Sequence, residues 1–101
     1  MNILADIPAN ADHELFNVLL EKPHCRIERI VSYGQSSPEG FWYEQPQDEW
    51  VMVLQGEAEL DVSGEIVQLA PGDHLLIPAG VRHRVIRTSV DVPTIWLAVF
   101  C

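Results

Sequence analysis

From Cys25 onward the chain is a succession of short apolar runs, and nearly every gap between them holds a glycine, a proline or both. The runs CRIERIVS, FWYEQ, EWVMVLQ, EAELDV, EIVQL, HLLIP, VRHRVIRT and TIWLAVF follow one another with no stretch between them that reads as a crossover helix. Neighbouring parallel strands need a connection of a dozen or more residues, so this spacing excludes a βαβ architecture. It predicts an all-β sandwich or closed barrel of roughly eight strands. The pattern is sharpest at residues 57–69. Ala58, Leu60 and Val62 alternate with Glu57, Glu59 and Asp61, and Ser63-Gly64 then turns the chain into a second strand.

Residues 1–24 read differently. Leu15, Phe16, Leu19 and Leu20 have helical spacing, with Asp12 as a candidate N-cap and Pro23 as a stop. A short N-terminal helix lying on the barrel is expected. At 101 residues the chain holds one hydrophobic core. The final strand is apolar on both sides, with Trp96, Ala98 and Phe100 on one and Ile95, Leu97 and Val99 on the other. One side fills the barrel and the other needs cover, because an exposed apolar strand is an aggregation hazard. A homodimer is the first expectation for that cover, and the N-terminal helix the second.

The formal charge is −9, which disfavours nucleic acid and anionic membrane surfaces as partners. The longest apolar run, IWLAVFC, is too short to span a bilayer, and no signal-like segment follows Met1, so a cytoplasmic location is expected. Cys25 and Cys101 suggest no disulfide framework, and Cys25 reads as a small core residue. Of the six basic residues, Arg82, Arg84 and Arg87 surround His83. They form either a local salt-bridge set or a patch that receives an anion.

The stretch GDHLLIPAGVRHRVIR places Gly72, Pro78, Gly80 and His83 at the spacing of the second motif of the cupin superfamily, with Arg87 where that motif has asparagine. Glu49 and Gly56 match the end of the first motif. The chain therefore resembles the small single-domain bacterial cupins, of the RmlC-like group. The resemblance implies a double-stranded β-helix, or jelly-roll barrel, over residues 25–101, with residues 1–24 packed against it. It also implies a divalent metal bound by two first-motif histidines, the motif glutamate and the second-motif histidine. Here the His-x-His positions fall on Trp42 and Glu44 or on Tyr43 and Gln45, so neither register supplies a histidine. His13, His24 and His74 match no ligand position.

Strand alternation admits only one of those pairs to the cavity. With Glu44 inward, the set is Glu44, Glu49 and His83, suited to Mn, Fe, Zn or Ni. With Gln45 inward, Tyr43 accompanies it, and an amide and a protonated phenol are weak donors to such an ion. A metal-free ion pair of Glu49 and His83 is the competing reading. Trp42 or Tyr43 gives the pocket an aromatic wall. Arg87, four residues beyond His83, is expected on the same face, where it binds an anionic ligand or bridges to Glu44 or Glu49. Two function classes follow: a cupin that binds a small polar or anionic metabolite, in its enzymatic form a metal-dependent oxygenase, decarboxylase or isomerase, and a metal-free sensor or dimerising module.

Overall fold

The computed structural model describes residues 2–101 and contains eight strands. In chain order they are β1 (Leu15–Lys22), β2 (Cys25–Ser32), β3 (Glu49–Gln55), β4 (Ala58–Val62), β5 (Glu65–Leu69), β6 (His74–Ile77), β7 (His83–Thr88) and β8 (Thr94–Phe100). They form two antiparallel sheets, one ordered β1-β2-β8-β3-β6 and the other β5-β4-β7. Apart from the β1–β2 and β4–β5 hairpins, adjacent positions are taken by strands distant in sequence, and the chain passes repeatedly from one sheet to the other, as a jelly roll does. The inner faces meet on Val51, Val53, Ala58, Leu60, Leu69, Ile77 and Trp96.

Turn chemistry locks this register. Ser63 and Gly64 both have positive φ, 51° and 94°, which suits the right-handed twist of the β4–β5 hairpin. Asp61 Oδ1 accepts the Gly64 N–H at 2.8 Å and closes the turn. Ahead of β6, the Asp73 carboxylate accepts the Ala70 N–H at 2.9 Å, while Gly72 N–H reaches Val53 O at 2.8 Å.

The expected N-terminal helix does not form, and no helix occurs among the described residues. Residues 15–22 are instead β1, paired with β2 from Leu15↔Val31 to Lys22↔Cys25. Pro23 lies in the hairpin turn rather than ending a helix. A register shift between Val18 and Leu20 breaks the period of two, so the leucines mimic a helical repeat. A sheet partner for every residue but one outweighs that local pattern. Residues 41–45, read as a strand, make only an isolated bridge, Tyr43↔His83.

Half of the last strand's double apolar character is explained directly. Trp96, Ala98 and Phe100 enter the barrel and are buried. On the outer face Leu97 and Val99 stay half-buried, beside Met52 and Trp50 of β3. The N-terminal segment lies against the neighbouring part of the sheet, where Arg29 Nη1 donates to Ile3 O at 3.0 Å and Ala5 O at 2.7 Å. No helix among the described residues is long and apolar enough to cross a membrane.

Candidate functional site

Glu49 opens β3, with Phe100 opposite it on β8 and Ile77 on β6. His83 opens β7, immediately after the corner at residues 78–82. That corner is clamped to the segment preceding Glu49. Ala79 N–H donates to Asp48 Oδ1 at 2.7 Å, and Gly80 N–H donates to Gln45 O at 2.8 Å. A second pair of bonds, Tyr43 N–H to His83 O at 2.8 Å and His83 N–H to Tyr43 O at 3.0 Å, fixes the two backbones side by side. Two residues far apart in sequence therefore share one site because the Pro-Ala-Gly corner is stitched to the loop before β3.

The side chains meet accordingly. His83 Nε2 lies 3.4 Å from Glu49 Oε1, and Gln45 Nε2 donates to the same oxygen at 2.9 Å. His83 Nδ1 faces Val81 O at 3.1 Å; a carbonyl only accepts, so Nδ1 carries a proton. The imidazole is buried, at 7% side-chain exposure, and the carboxylate is largely so, at 13%. Burial lowers the His83 pKa, but the Glu49 hydrogen bond, the Val81 carbonyl and the Glu49 charge together outweigh it. The net pKa is raised above the usual 6.5. Tyr43 stacks on the imidazole with ring centroids 5.6 Å apart. Burial, then the charges of Glu14 and Glu49, raise its pKa, so the phenol stays protonated at neutral pH.

These residues line a cavity of about 240 Å³. Phe16, Ile30, Trp96 and Phe100 supply its apolar and aromatic wall, and Glu14, Arg26 and Glu28 add charge. Trp96 donates its indole N–H to Ser32 Oγ at 3.0 Å, and Ser32 in turn donates to Glu14 Oε2, which pins that carboxylate.

Of the residues proposed from sequence, Tyr43, Gln45, Glu49 and His83 come together here. Trp42 and Glu44 do not line the cavity. Trp42 lies beneath Arg82, whose guanidinium is 4.7 Å from its ring centroid, and Arg84 is 5.9 Å away. Glu44 is exposed. Arg87 also departs from expectation. The β4–β7 register runs Glu59↔Arg87 and then Leu60↔Val85, so Ile86 is an extra residue on β7. One inserted residue reverses the side-chain parity beyond it. Thr88 becomes buried, and Arg87 turns to solvent, 3.9 Å from Glu57 and 3.8 Å from Glu59.

Arg26, Glu14 and Glu28 were missed. A signal existed in CRIERIVS, where Arg26, Glu28 and Ile30 share one face of a strand opposite the apolar β8.

The donor set decides how well a divalent metal fits. The inward register is Tyr43 and Gln45, whose protonated phenol and amide oxygen are weak donors to such an ion, and the amide N–H₂ is turned to Glu49. One imidazole and one carboxylate remain, themselves joined, and no group of three His, Cys, Asp or Glu side chains gathers among the described residues. This set does not fit a tightly held transition ion.

The profile of the cupin domain family matches residues 29–100. The crystal structure of a Ralstonia eutropha protein, provisionally named a mannose-6-phosphate isomerase, superposes with a TM-score of 0.98 and 50% identity, covering 100% of this chain and 95% of that one. A cupin superfamily protein from Desulfitobacterium hafniense shares the fold at a TM-score of 0.78 and 23% identity, over 93% of this chain and 82% of its own. Among characterised proteins, human 3-hydroxyanthranilate 3,4-dioxygenase is 36% identical over 64 residues, which are 63% of this chain and 22% of the enzyme. The rat enzyme is 38% identical over 55 residues, 54% of this chain and 18% of its own. The chain thus spans about a fifth of the length of these dioxygenases.

Proposed function

The chain belongs to the cupin domain family, and from that premise we propose that it binds a small polar metabolite inside the barrel without a resident metal. The observation that carries this reading is the 3.4 Å contact of His83 with Glu49 on the wall of an aromatic-lined cavity. An imidazolium holds two N–H donors, and Val81 O fixes one of them. The other, on Nε2, points to Glu49 and is available to a ligand oxygen that enters beside it. Glu49 accepts in return, so the pair can donate and accept at one ligand atom and shuttle a proton across it. Gln45 orients the carboxylate, and Tyr43 closes the site by stacking on the imidazole.

The names of the relatives suggest two enzymatic versions, isomerisation of a sugar phosphate and oxidation of an aromatic acid. The cavity offers little to a phosphate dianion, since Glu14, Glu28 and Glu49 oppose a single guanidinium, Arg26. A route through a divalent ion needs donors that Tyr43 and Gln45 do not supply. A binding protein or a proton-transfer catalyst uses all of the residues present. In either role a second copy covers the half-buried outer face at Trp50, Leu97 and Val99, making a homodimer in the cytoplasm.

The test is an NMR screen of small metabolites against the His83 ring resonances, with elemental analysis of protein purified without added metal. Saturable shifts of His83 that vanish in Glu49→Ala, from protein holding far less than one ion per chain, support the reading. One ion per chain, lost in His83→Ala, overturns it.

A further inference from the structure

Arg26 lies within the cavity, not on the outer surface. Its guanidinium rests over the Phe100 ring at 4.4 Å from the centroid. Glu28 Oε1 stands 3.2 Å from Nε, the inner nitrogen of the fork. Nη1 and Nη2 make no hydrogen bond to protein among the described residues, although the side chain is only 33% exposed. The pairs Arg26↔Phe100 and Phe100↔Glu49 place Arg26, Phe100 and Glu49 in one row across β2, β8 and β3. Two strand spacings separate the ends of that row, roughly 10 Å between backbones.

Charge is therefore segregated. At one end a guanidinium presents its free Nη1–Nη2 edge, the geometry that takes a carboxylate through parallel hydrogen bonds. Beyond it, Glu49 and Glu14 line the same cavity as Tyr43, so the charge on that part of the wall is negative. Glu28 offsets part of the Arg26 charge, which leaves the cavity net acidic even with His83 protonated.

Resting on the proposed ligand-binding role, we propose that the cavity selects a small zwitterion, its carboxylate held by Arg26 and its ammonium by the Glu14–Glu49 end beside Tyr43. A lone carboxylate meets the acidic end without compensation, and a lone amine leaves the guanidinium fork unused. An apolar or aromatic body between the two charges lies along Phe100 and Trp96.

Three probes sharing one ring separate these contributions: phenylalanine, 3-phenylpropionate without the ammonium, and phenethylamine without the carboxylate. Each is titrated while the His83 ring resonances are followed. Phenylalanine is expected to give saturable shifts, and each of the other two to bind at least tenfold more weakly. Arg26→Gln is expected to weaken phenylalanine at least tenfold and leave phenethylamine unchanged, with Arg26→Lys intermediate. Phenethylamine binding as tightly as phenylalanine to the wild-type protein overturns the proposal without needing any variant. So does failure of all three to move His83. In that case the broader ligand-binding reading survives if a neutral polyol or hydroxy compound shifts His83, and falls with the proposal if none does.

Discussion

His83 Nε2 and Glu49 Oε1 lie 3.4 Å apart in a setting where burial alone drives the imidazole towards neutrality. The carboxylate, with the Val81 carbonyl, reverses that drive and raises the His83 pKa above 6.5. Glu49→Gln removes the charge and replaces a charge-assisted hydrogen bond with a weaker neutral one, which leaves burial as the largest influence. The His83 pKa is then expected to fall below 6.5, a reversal of sign measurable by NMR titration of the ring. Linkage sets the pH dependence of stability. A raised folded pKa means that the stabilisation is complete below the unfolded value near 6.5 and disappears as pH rises through the folded value. Urea midpoints of the wild type should therefore decline across that window relative to those of Glu49→Gln.

Arg87 stands four residues from His83 yet on the opposite face, itself exposed, and its pairs with the exposed Glu57 and the half-buried Glu59 are longer than 3.5 Å. Such pairs add little, so Arg87→Ala should change stability by no more than about 0.5 kcal/mol. Ligand affinity should not change. A tenfold loss of binding by titration would return Arg87 to the site.

Much of this was legible in the sequence, and two of the failures share one cause. Glycine, proline and alternation located seven of the eight strands, and the resemblance of the segments around Glu49 and His83 to the two cupin motifs implied that these residues share a site. Errors arose where a bulge interrupts the period of two. At Leu19 a bulge made a strand look helical, and at Ile86 another turned Arg87 away from the cavity. A bulge is set by what the partner strand requires, so the local sequence carries no mark of it. The Tyr43–Gln45 register was undecidable for a related reason: it depends on the bridge to His83 and on the Gly80 bond to Gln45.

Gly56 ends the first motif with φ +77°, and a Cβ placed there would stand 2.6 Å from Thr94 Oγ1 and 2.9 Å from Thr94 Cα. The second contact is with backbone in a buried strand, which has nowhere to retreat. Gly56→Ala combines left-handed strain of about 1–2 kcal/mol with overpacking of about 1–3 kcal/mol. Gly80→Ala has a similar φ, +77°, but open space around its Cβ, so it should show the strain alone. Urea unfolding of both variants should rank Gly56→Ala as clearly the weaker.

Ser32 is fully buried and links two groups, accepting the Trp96 indole N–H and donating to Glu14. Ser32→Ala leaves a buried N–H without a partner and frees the Glu14 carboxylate. A loss of about 1–3 kcal/mol is expected in denaturant unfolding. The Trp96 indole proton resonance should move with it. An unchanged midpoint would mean that water replaces the hydroxyl.

The inward register at residues 43 and 45 makes the metal question answerable by construction. Tyr43 and Gln45 line the cavity beside Glu49 and His83, and are one of the two pairs onto which the resemblance maps the family's histidines. Replacing both, Tyr43→His with Gln45→His, assembles three imidazoles and a carboxylate without moving a strand. It also removes the amide that now holds Glu49 and the ring that stacks on His83. The double variant should hold one divalent ion per chain after desalting, with affinity at least two orders of magnitude above wild type, on the order of 3 kcal/mol. The cobalt-substituted form should show ligand-field bands absent from wild type, and either single variant should fall between. Trp42→His with Glu44→His places the imidazoles on the outer side and should bind no tighter than wild type. If that outward pair gains the ion while the inward pair does not, the register and the cavity built on it are wrong.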